Sequence, residues 1–279
     1  METSPSHNLP VPLSLWPQGE IPFAGPEDGD LPRLTLYRPS AEYRTGKTIL
    51  IFPGGGYNHV STEKEGHRPA MMLSSRGHAA AVLEYRHSPA RHPVPLADAQ
   101  QAMRILRSEA RRAGLDPDAL GVMGFSAGGH LAGLLATQDP VSLPDTPAPA
   151  TAESCRPDFA VLIYPVVSFC ASFSHSGSRE ALLGSDAEGP LRESLSLERA
   201  VSETSPPMFI AHGQADSLVP PENALSLYSA LCRLGVPADL RLYHGTGHGF
   251  GLGRNHLWGR DLLEWLDTLP PDEGNDSGG

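Results

Sequence analysis

The sequence predicts an α/β fold in which a mostly parallel, twisted sheet carries helices on both faces. Strand-like runs alternate with helical patterns, and several runs are continuously apolar, as in strands that are covered on both sides. No internal repeat or linker divides the 279 residues, and one α/β domain accommodates that length. Ligands of such sheets bind beyond the carboxyl ends of the strands, so the chemistry is expected in the loops that follow them.

The predicted strands are short apolar runs bounded by turn-forming residues. There are seven of them, at 34–37, 48–52, 79–85, 120–124, 159–164, 208–212 and 238–243. Helical patterns fill four of the intervals, at 96–112, 126–137, 222–234 and 256–269. The first of these helices has one apolar stripe, formed by Ala99, Met103, Leu106 and Ala110.

Both ends of the chain are predicted to lie outside the α/β domain. Residues 1–30 are rich in Pro and Gly and predict an extended N-terminal arm, while the polar, Gly-rich residues 270–279 predict a flexible tail. The domain itself is expected to span 31–269. Within it, the stretch 138–157 is rich in Pro, Ala, Ser and Thr, which predicts a surface insertion.

The composition argues against several classes of partner. Against 32 Asp and Glu there are 21 Lys and Arg without a basic cluster, and the net charge of −11 would repel nucleic acid. No run approaches the roughly 18 apolar residues that span a bilayer. The N-terminus lacks a basic region typical of secretion signals, so a cytoplasmic location is expected. Three scattered cysteines, Cys155, Cys170 and Cys232, are expected to be small buried hydrophobes.

The motif G-x-S-x-G at 124–128 places Ser126 between a predicted strand and a helix. A serine on so tight a turn projects its hydroxyl, and glycines on either side let the backbone pass without a clash. The start of the helix behind it offers unpaired N–H groups. Ser126 is therefore the candidate nucleophile, with a helix-capping serine as the structural alternative.

Two further loops after strands supply an acid and an imidazole. Asp216 follows the run 208–212, and His248 lies in a Gly-rich loop after the run 238–243. Asp216 fits the acid that orients a catalytic histidine, although it can also serve as a cap, and Asp186 is a competing acid with no strand before it. His244 and His248 resemble a metal pair in spacing only, because no acidic or Cys ligand lies nearby. No metal is predicted, and the order Ser126, Asp216, His248 is that of one known fold.

The run 48–52 delivers three glycines, in the motif PGGGY at 53–57. Acyl transfer needs backbone N–H groups that stabilise an oxyanion, and the amides of Gly55, Gly56 and Ala127 are the candidates. Whether Gly54 rather than Gly56 donates is left open. A dinucleotide site is excluded because no G-x-G-x-x-G follows a strand, and a P-loop because no G-K-[ST] closes the run. A plain glycine turn is the remaining alternative.

The motifs PGGGY, GVMGFSAGGHLA, HGQADSLVP and YHGTGHGFG together resemble the α/β-hydrolase superfamily. They are most similar to a branch of bacterial carbohydrate esterases of the acetyl xylan or feruloyl esterase type. The resemblance runs from about Lys47 to Leu269 and includes STEKEGHRPA after the glycine loop. Pro53 stands where the lipase-like HGGG pattern has its histidine, which fits the carbohydrate-esterase branch better than the relatives of hormone-sensitive lipase.

The resemblance implies an α/β-hydrolase sheet of about eight strands, with Ser126 as nucleophile, His248 as general base and Asp216 as its orienting acid. Gly55, Gly56 and Ala127 would form the oxyanion hole, and no cofactor is required. Tyr57 and Tyr164 follow strand ends, and Leu218 lies beside Asp216. All three are expected to line the substrate cleft, with core packing as the alternative for Tyr164.

The function that follows is hydrolysis of short-chain, acetyl-type esters by a serine carboxylesterase. The expected substrate is a small ester or an acetylated oligosaccharide such as acetylated xylan. A feruloyl esterase is one alternative. A peptidase of the prolyl-oligopeptidase type usually carries a propeller domain for which this chain has no room. A non-catalytic binding protein usually lacks a member of the triad, whereas all three candidates are present here.

Overall fold

An eight-stranded sheet forms the centre of the computed structural model, which describes residues 10–17, 21–24, 32–113, 116–143, 152–252 and 257–269. The strands lie in the order β1-β2-β4-β3-β5-β6-β7-β8, with β1 and β2 antiparallel at one edge and the other six parallel. Their bounds are β1 Val11–Leu13, β2 Arg33–Tyr37, β3 Thr48–Phe52, β4 Ala79–Glu84, β5 Leu120–Phe125, β6 Phe159–Ile163, β7 Met208–Gly213 and β8 Ala238–Tyr243.

The strand order reverses direction at β3, which has β4 on one side and β5 on the other. The register pairs Phe52 at the end of β3 with Gly124 near the end of β5. The glycine loop and Ser126 therefore leave the sheet side by side, at the switch point where open α/β sheets bind their ligands.

Each face of the sheet is buried under its own apolar cluster, because successive side chains of a strand point to opposite faces. Leu50 and Phe52 belong to one cluster, and Ile49 and Ile51 to the other. All five residues of β3 are buried, which explains why the central strands read as continuous apolar runs rather than as an alternating pattern.

The described residues also contain eight α-helices, a 3₁₀ turn at Ala41–Tyr43 and a π-helical turn at Glu63–His67. The helices are α1 Arg68–Ser75, α2 Val94–Ala113, α3 Ala127–Thr137, α4 Ser176–Leu183, α5 Gly189–Ser194, α6 Leu197–Ala200, α7 Glu222–Arg233 and α8 Trp258–Thr268. The predicted α/β class, its seven strands and the helices α2, α3, α7 and α8 are confirmed. The other four helices, of four to eight residues, are too short to show a clear period in the sequence.

The sequence missed β1, which lies within the predicted N-terminal arm. It pairs with β2 through Val11 and Leu36, and the Trp16 side chain that follows is buried. The Trp16 indole donates to Asp98, a buried carboxylate paired with Arg86. Residues 1–9, 18–20 and 25–30 of the arm, the predicted tail at 270–279 and residues 144–151 of the predicted insertion lie outside the described residues.

The expectation for the cysteines was correct at one position and wrong at two. Cys155 is buried, whereas Cys170 and Cys232 are exposed. Cys170 lies in the loop after β6, and Cys232 lies near the end of α7 on its solvent side. Burial of these two side chains depends on which face of a local element points outward, and composition carries no information about that.

Candidate active site

Ser126 lies on a sharp turn between β5 and α3, with the unusual backbone angles φ 54° and ψ −119°. A positive φ at a residue with a side chain is strained, and it persists only where the surroundings impose it. Here the end of β5 and the start of α3 approach so closely that a Cβ on Gly124 would lie 2.0 Å from the carbonyl oxygen of Gly128. The two glycines therefore permit the turn that projects the Ser126 hydroxyl, as the motif predicts.

Three side chains from separate loops form one hydrogen-bonded row. The Ser126 hydroxyl lies 2.9 Å from Nε2 of His248, and Nδ1 of the same ring lies 2.7 Å from Oδ2 of Asp216. Because a carboxylate only accepts hydrogen bonds, the His248 proton sits on Nδ1 and Nε2 is free to accept from the Ser126 hydroxyl. The structure thus brings together the three residues that the sequence singled out.

Asp216 is buried and accepts three hydrogen bonds. Its Oδ1 accepts from the backbone amides of Leu218 and Val219, at 3.0 and 2.9 Å, and its Oδ2 accepts from Nδ1 of His248. Nε2 of His212 lies 3.3 Å from the same Oδ2, but it donates to the Val219 carbonyl oxygen at 2.9 Å. Burial raises the pKa of Asp216, but the nearby His212 imidazole and the hydrogen bonds from His248 and the Val219 amide outweigh it and hold the pKa well below its usual range. The carboxylate is therefore fixed in position and ionised.

The other candidates for acid and metal ligand are placed elsewhere. Asp186 is exposed and accepts from the neighbouring Ser185 hydroxyl. His244 pairs with Gln214, at 3.0 Å from Nδ1 to the side-chain oxygen. Within the described part of the chain, no three His, Cys, Asp or Glu side chains are grouped to hold a metal ion.

The glycine loop begins directly against Ser126, since a Cβ on Gly54 would lie 3.0 Å from the Ser126 Cβ. The Gly54 amide donates to Oε2 of Glu65 at 2.9 Å, so it is already engaged. Among the described residues, no acceptor is found for the amides of Gly55, Gly56 and Ala127. Of the two amides left open by the sequence, that of Gly54 is thus occupied by Glu65, whereas no acceptor is found for that of Gly56 among the described residues.

Two of the three residues expected at the cleft mouth are fully buried instead. The Tyr57 hydroxyl pairs with Nδ1 of His130 in the core, and the Tyr164 hydroxyl donates to Glu65 at 2.8 Å. The expectation that Tyr57 lines the mouth is therefore wrong, and Tyr164 follows the alternative of core packing, because each phenol finds a buried partner. Leu218, beside Asp216, is 54% exposed and remains a candidate.

Sequence reasoning missed three side chains near the triad. Glu65 lies in the π-helical turn, and His212 supports Asp216 from within β7. His175 caps α4, where its Nδ1 accepts from the Ser178 amide at 3.1 Å. Burial and the nearby His248 lower the pKa of His175, against the opposing charge of Asp216. The available signal for His212 was its position at the end of a strand, directly before G-x-x-D. The signal for His175 was the motif H-S-G-S-R before a short helix.

None of the helices in the described segments combines the length and the apolar composition that crossing a bilayer requires.

Comparison with known proteins places the chain in a family. The family model BD-FAE matches residues 34–231. The chain is 33% identical over 237 residues to an acetylxylan esterase of Xylanibacter ruminicola, covering 82% of this chain and 47% of that protein. It is 31% identical over 249 residues to endo-1,4-beta-xylanase B of Butyrivibrio fibrisolvens, covering 88% and 38% respectively. The chain therefore spans half or less of the length of these two relatives.

A solved structure shares nearly the whole fold. The acetyl ester-xyloside bifunctional hydrolase from Caldicellulosiruptor lactoaceticus superposes with a TM-score of 0.86 at 38% identity, covering 93% of this chain and 96% of the other. A thermophilic esterase from Thermogutta terrifontis superposes with a TM-score of 0.71 at 27% identity, covering 86% of this chain and 87% of the other. With its eight-stranded, mostly parallel sheet and the match to the family model over most of its length, this chain has the α/β-hydrolase fold and belongs to the BD-FAE family.

Proposed function

We propose that this chain is a serine carboxylesterase that hydrolyses short-chain, acetyl-type esters on carbohydrate, such as acetylated xylan. The observation that carries the proposal is the row Ser126–His248–Asp216, whose two hydrogen bonds are 2.9 and 2.7 Å long. The carbohydrate part is supported by the xylan-related names of two relatives and of one structural neighbour.

In the first step, the Ser126 Oγ attacks the ester carbonyl carbon while its proton passes to Nε2 of His248. The carbonyl oxygen becomes an oxyanion, which the amides of Gly55, Gly56 and Ala127 stabilise. Collapse of this intermediate breaks the bond to the alcohol, which leaves with the proton from His248. The ionised Asp216 stabilises the imidazolium in between.

In the second step, water attacks the acyl group on Ser126 and gives its proton to His248. The second oxyanion collapses, the bond to Ser126 breaks, and the serine oxygen recovers the proton. The products are a carboxylic acid and the regenerated enzyme, and the sequence of steps uses no cofactor.

Ser126→Ala tests the mechanism. We expect kcat on p-nitrophenyl acetate to fall by about four orders of magnitude or more, because the nucleophile is lost. The exposed Ser75→Ala is the matched control and should behave as the parent. Melting temperature shows that Ser126→Ala is folded, and a serine-directed phosphonate should label the parent but not this variant. Turnover by Ser126→Ala at the parent rate would refute the proposal.

Substrate choice is tested with a matched panel of xylo-oligosaccharides carrying acetyl or feruloyl groups, beside a peptide amide. We expect the largest kcat/KM on the acetylated oligosaccharide. Preference for the feruloyl ester would replace the acyl assignment and leave the triad intact. Cleavage of the amide with no ester turnover would favour a peptidase instead.

A further inference from the structure

A π-helical turn, Glu63–His67, lies between the glycine loop and α1. The Arg68 amide donates to the Glu63 carbonyl across five residues. Pro69 follows and has no N–H to continue an ordinary helical ladder backward. Single π turns are rare and often occur at functional sites, so the side chains of this turn are candidates for a functional role.

The turn points Glu65 into the protein, where the residue is only 6% exposed. Its Oε2 accepts from the Gly54 amide at 2.9 Å, and its Oε1 accepts from the Tyr164 hydroxyl at 2.8 Å. A buried carboxylate is costly unless it is hydrogen-bonded, and here each oxygen has a donor. The contact depends on a glycine, because a Cβ on Gly54 would lie 2.7 Å from Oε2.

Both partners of Glu65 adjoin groups that the proposed reaction uses. Gly54 directly precedes Gly55 and Gly56, so anchoring its amide fixes the start of the loop that would hold the oxyanion. Tyr164 packs its ring on His248, with ring centroids 4.9 Å apart and an angle of 63° between the rings.

The outer side of the same turn reaches the loop of the base. Lys64 donates from Nζ to the carbonyl oxygen of Gly249, the residue after His248. The same π-helical turn therefore contacts both loops: Glu65 hydrogen-bonds the glycine loop, and Lys64 hydrogen-bonds the His248 loop. These two loops come from opposite halves of the chain and have no covalent reason to keep their spacing.

We propose that Glu65 is a positioning residue for ester hydrolysis, whose two hydrogen bonds set the oxyanion loop and the Tyr164 ring beneath His248. This inference rests on the proposed function. Glu65 does not touch Ser126 or His248 through any hydrogen bond in the described structure, so its effect passes through Gly54 and Tyr164.

The test compares Glu65→Leu, Glu65→Gln and the control Glu63→Gln. Leucine removes both hydrogen bonds. Glutamine retains them, because its carbonyl oxygen accepts from the Gly54 amide and its NH₂ donates to the Tyr164 oxygen. Glu63 lies on the same turn, but its side chain is 69% exposed and pairs with Arg68.

On p-nitrophenyl acetate we expect Glu65→Leu to lower kcat by about 10- to 100-fold, somewhat less than direct loss of an oxyanion donor, with KM within about twofold. Glu65→Gln should recover kcat to within about fivefold of the parent, and Glu63→Gln should match the parent. Tyr164→Phe, which removes one of the two bonds, should lower kcat by an intermediate factor.

Parent-like kcat in Glu65→Leu would overturn the proposal, as would equal losses in Glu65→Gln and Glu65→Leu. If Glu65→Leu does not fold, Glu65→Gln and Tyr164→Phe decide: parent-like kcat in Tyr164→Phe, or a kcat in Glu65→Gln below that of Tyr164→Phe, would overturn it. A parent that neither hydrolyses the ester nor reacts with the phosphonate would instead refute the proposed function.

Discussion

Replacing Tyr57 by phenylalanine tests whether the Tyr57 side chain stabilises the core or contacts the substrate. Tyr57 is fully buried, and its hydroxyl lies 2.9 Å from Nδ1 of His130, whose Nε2 faces the Leu195 carbonyl at 2.8 Å. A carbonyl only accepts, so the His130 proton is on Nε2 and Nδ1 accepts from the Tyr57 hydroxyl. Phenylalanine keeps the ring and leaves Nδ1 of a buried histidine without this donor.

The expected cost follows from that single unpaired acceptor. Leaving a buried polar atom without its partner lowers the free energy of unfolding by about 1 to 3 kcal/mol. For a chain of this size, each kcal/mol lowers the melting temperature by about 2 to 4 °C, so a fall of roughly 2 to 12 °C is expected. Since the ring stays in place, kcat and KM on p-nitrophenyl acetate should not change.

The assay is thermal unfolding beside steady-state kinetics, with Tyr43→Phe as the matched control. Tyr43 is 71% exposed, so its variant should unfold at the parent temperature. An unchanged melting temperature in Tyr57→Phe together with a raised KM would refute the reasoning and restore Tyr57 to the substrate cleft.

Two further predictions concern the triad and the core. Asp216→Asn should lower kcat on p-nitrophenyl acetate by about 10⁴-fold. Its oxygen would still accept from the Leu218 and Val219 amides, which turns the NH₂ toward His248 and favours the wrong tautomer; parent-like kcat would contradict this. Burial lowers the pKa of His130 to about 4, against the hydrogen bond to Leu195. The unfolded chain therefore binds more protons than the folded one between about pH 6.5 and 4, and the free energy of unfolding should fall by up to about 3 kcal/mol across that window. Urea titrations at a series of pH values measure the free energy of unfolding. His130→Gln should make that free energy depend less steeply on pH, and an equally steep dependence in this variant would assign the loss to other groups.

The parts of the site that the sequence predicted are those that follow parallel strands. The carboxyl ends of parallel strands meet at one edge of the sheet, so a motif after each strand is a motif at a common place. By that rule, the sequence alone predicts that Ser126, Asp216 and His248 lie at one edge of the sheet. It also separated Asp216 from Asp186, which has no strand before it and is exposed.

The same rule misplaced Tyr57 and Tyr164. Both follow strand ends, but a tyrosine is an apolar ring with one polar group, and the core accepts it when a buried partner meets the hydroxyl. His130 and Glu65 are those partners, and they lie 73 and 99 residues away along the chain. No local pattern shows such a pairing, so the sequence predicts core packing only as an alternative for Tyr164 and not at all for Tyr57.

Glu65 shows why supporting residues are harder to read than reacting ones. In the sequence it lies within Thr62-Glu63-Lys64-Glu65, a charged stretch that predicts a solvent-exposed surface. The π turn sends consecutive side chains in different directions: Glu63 is exposed to solvent, Lys64 reaches the His248 loop, and Glu65 is buried beneath Gly54. Burial of the third charge is possible because two donors from distant loops are already oriented toward it. A reacting residue is marked by its own motif, whereas a supporting residue is defined by the partners it holds, and those partners become neighbours only in the folded chain.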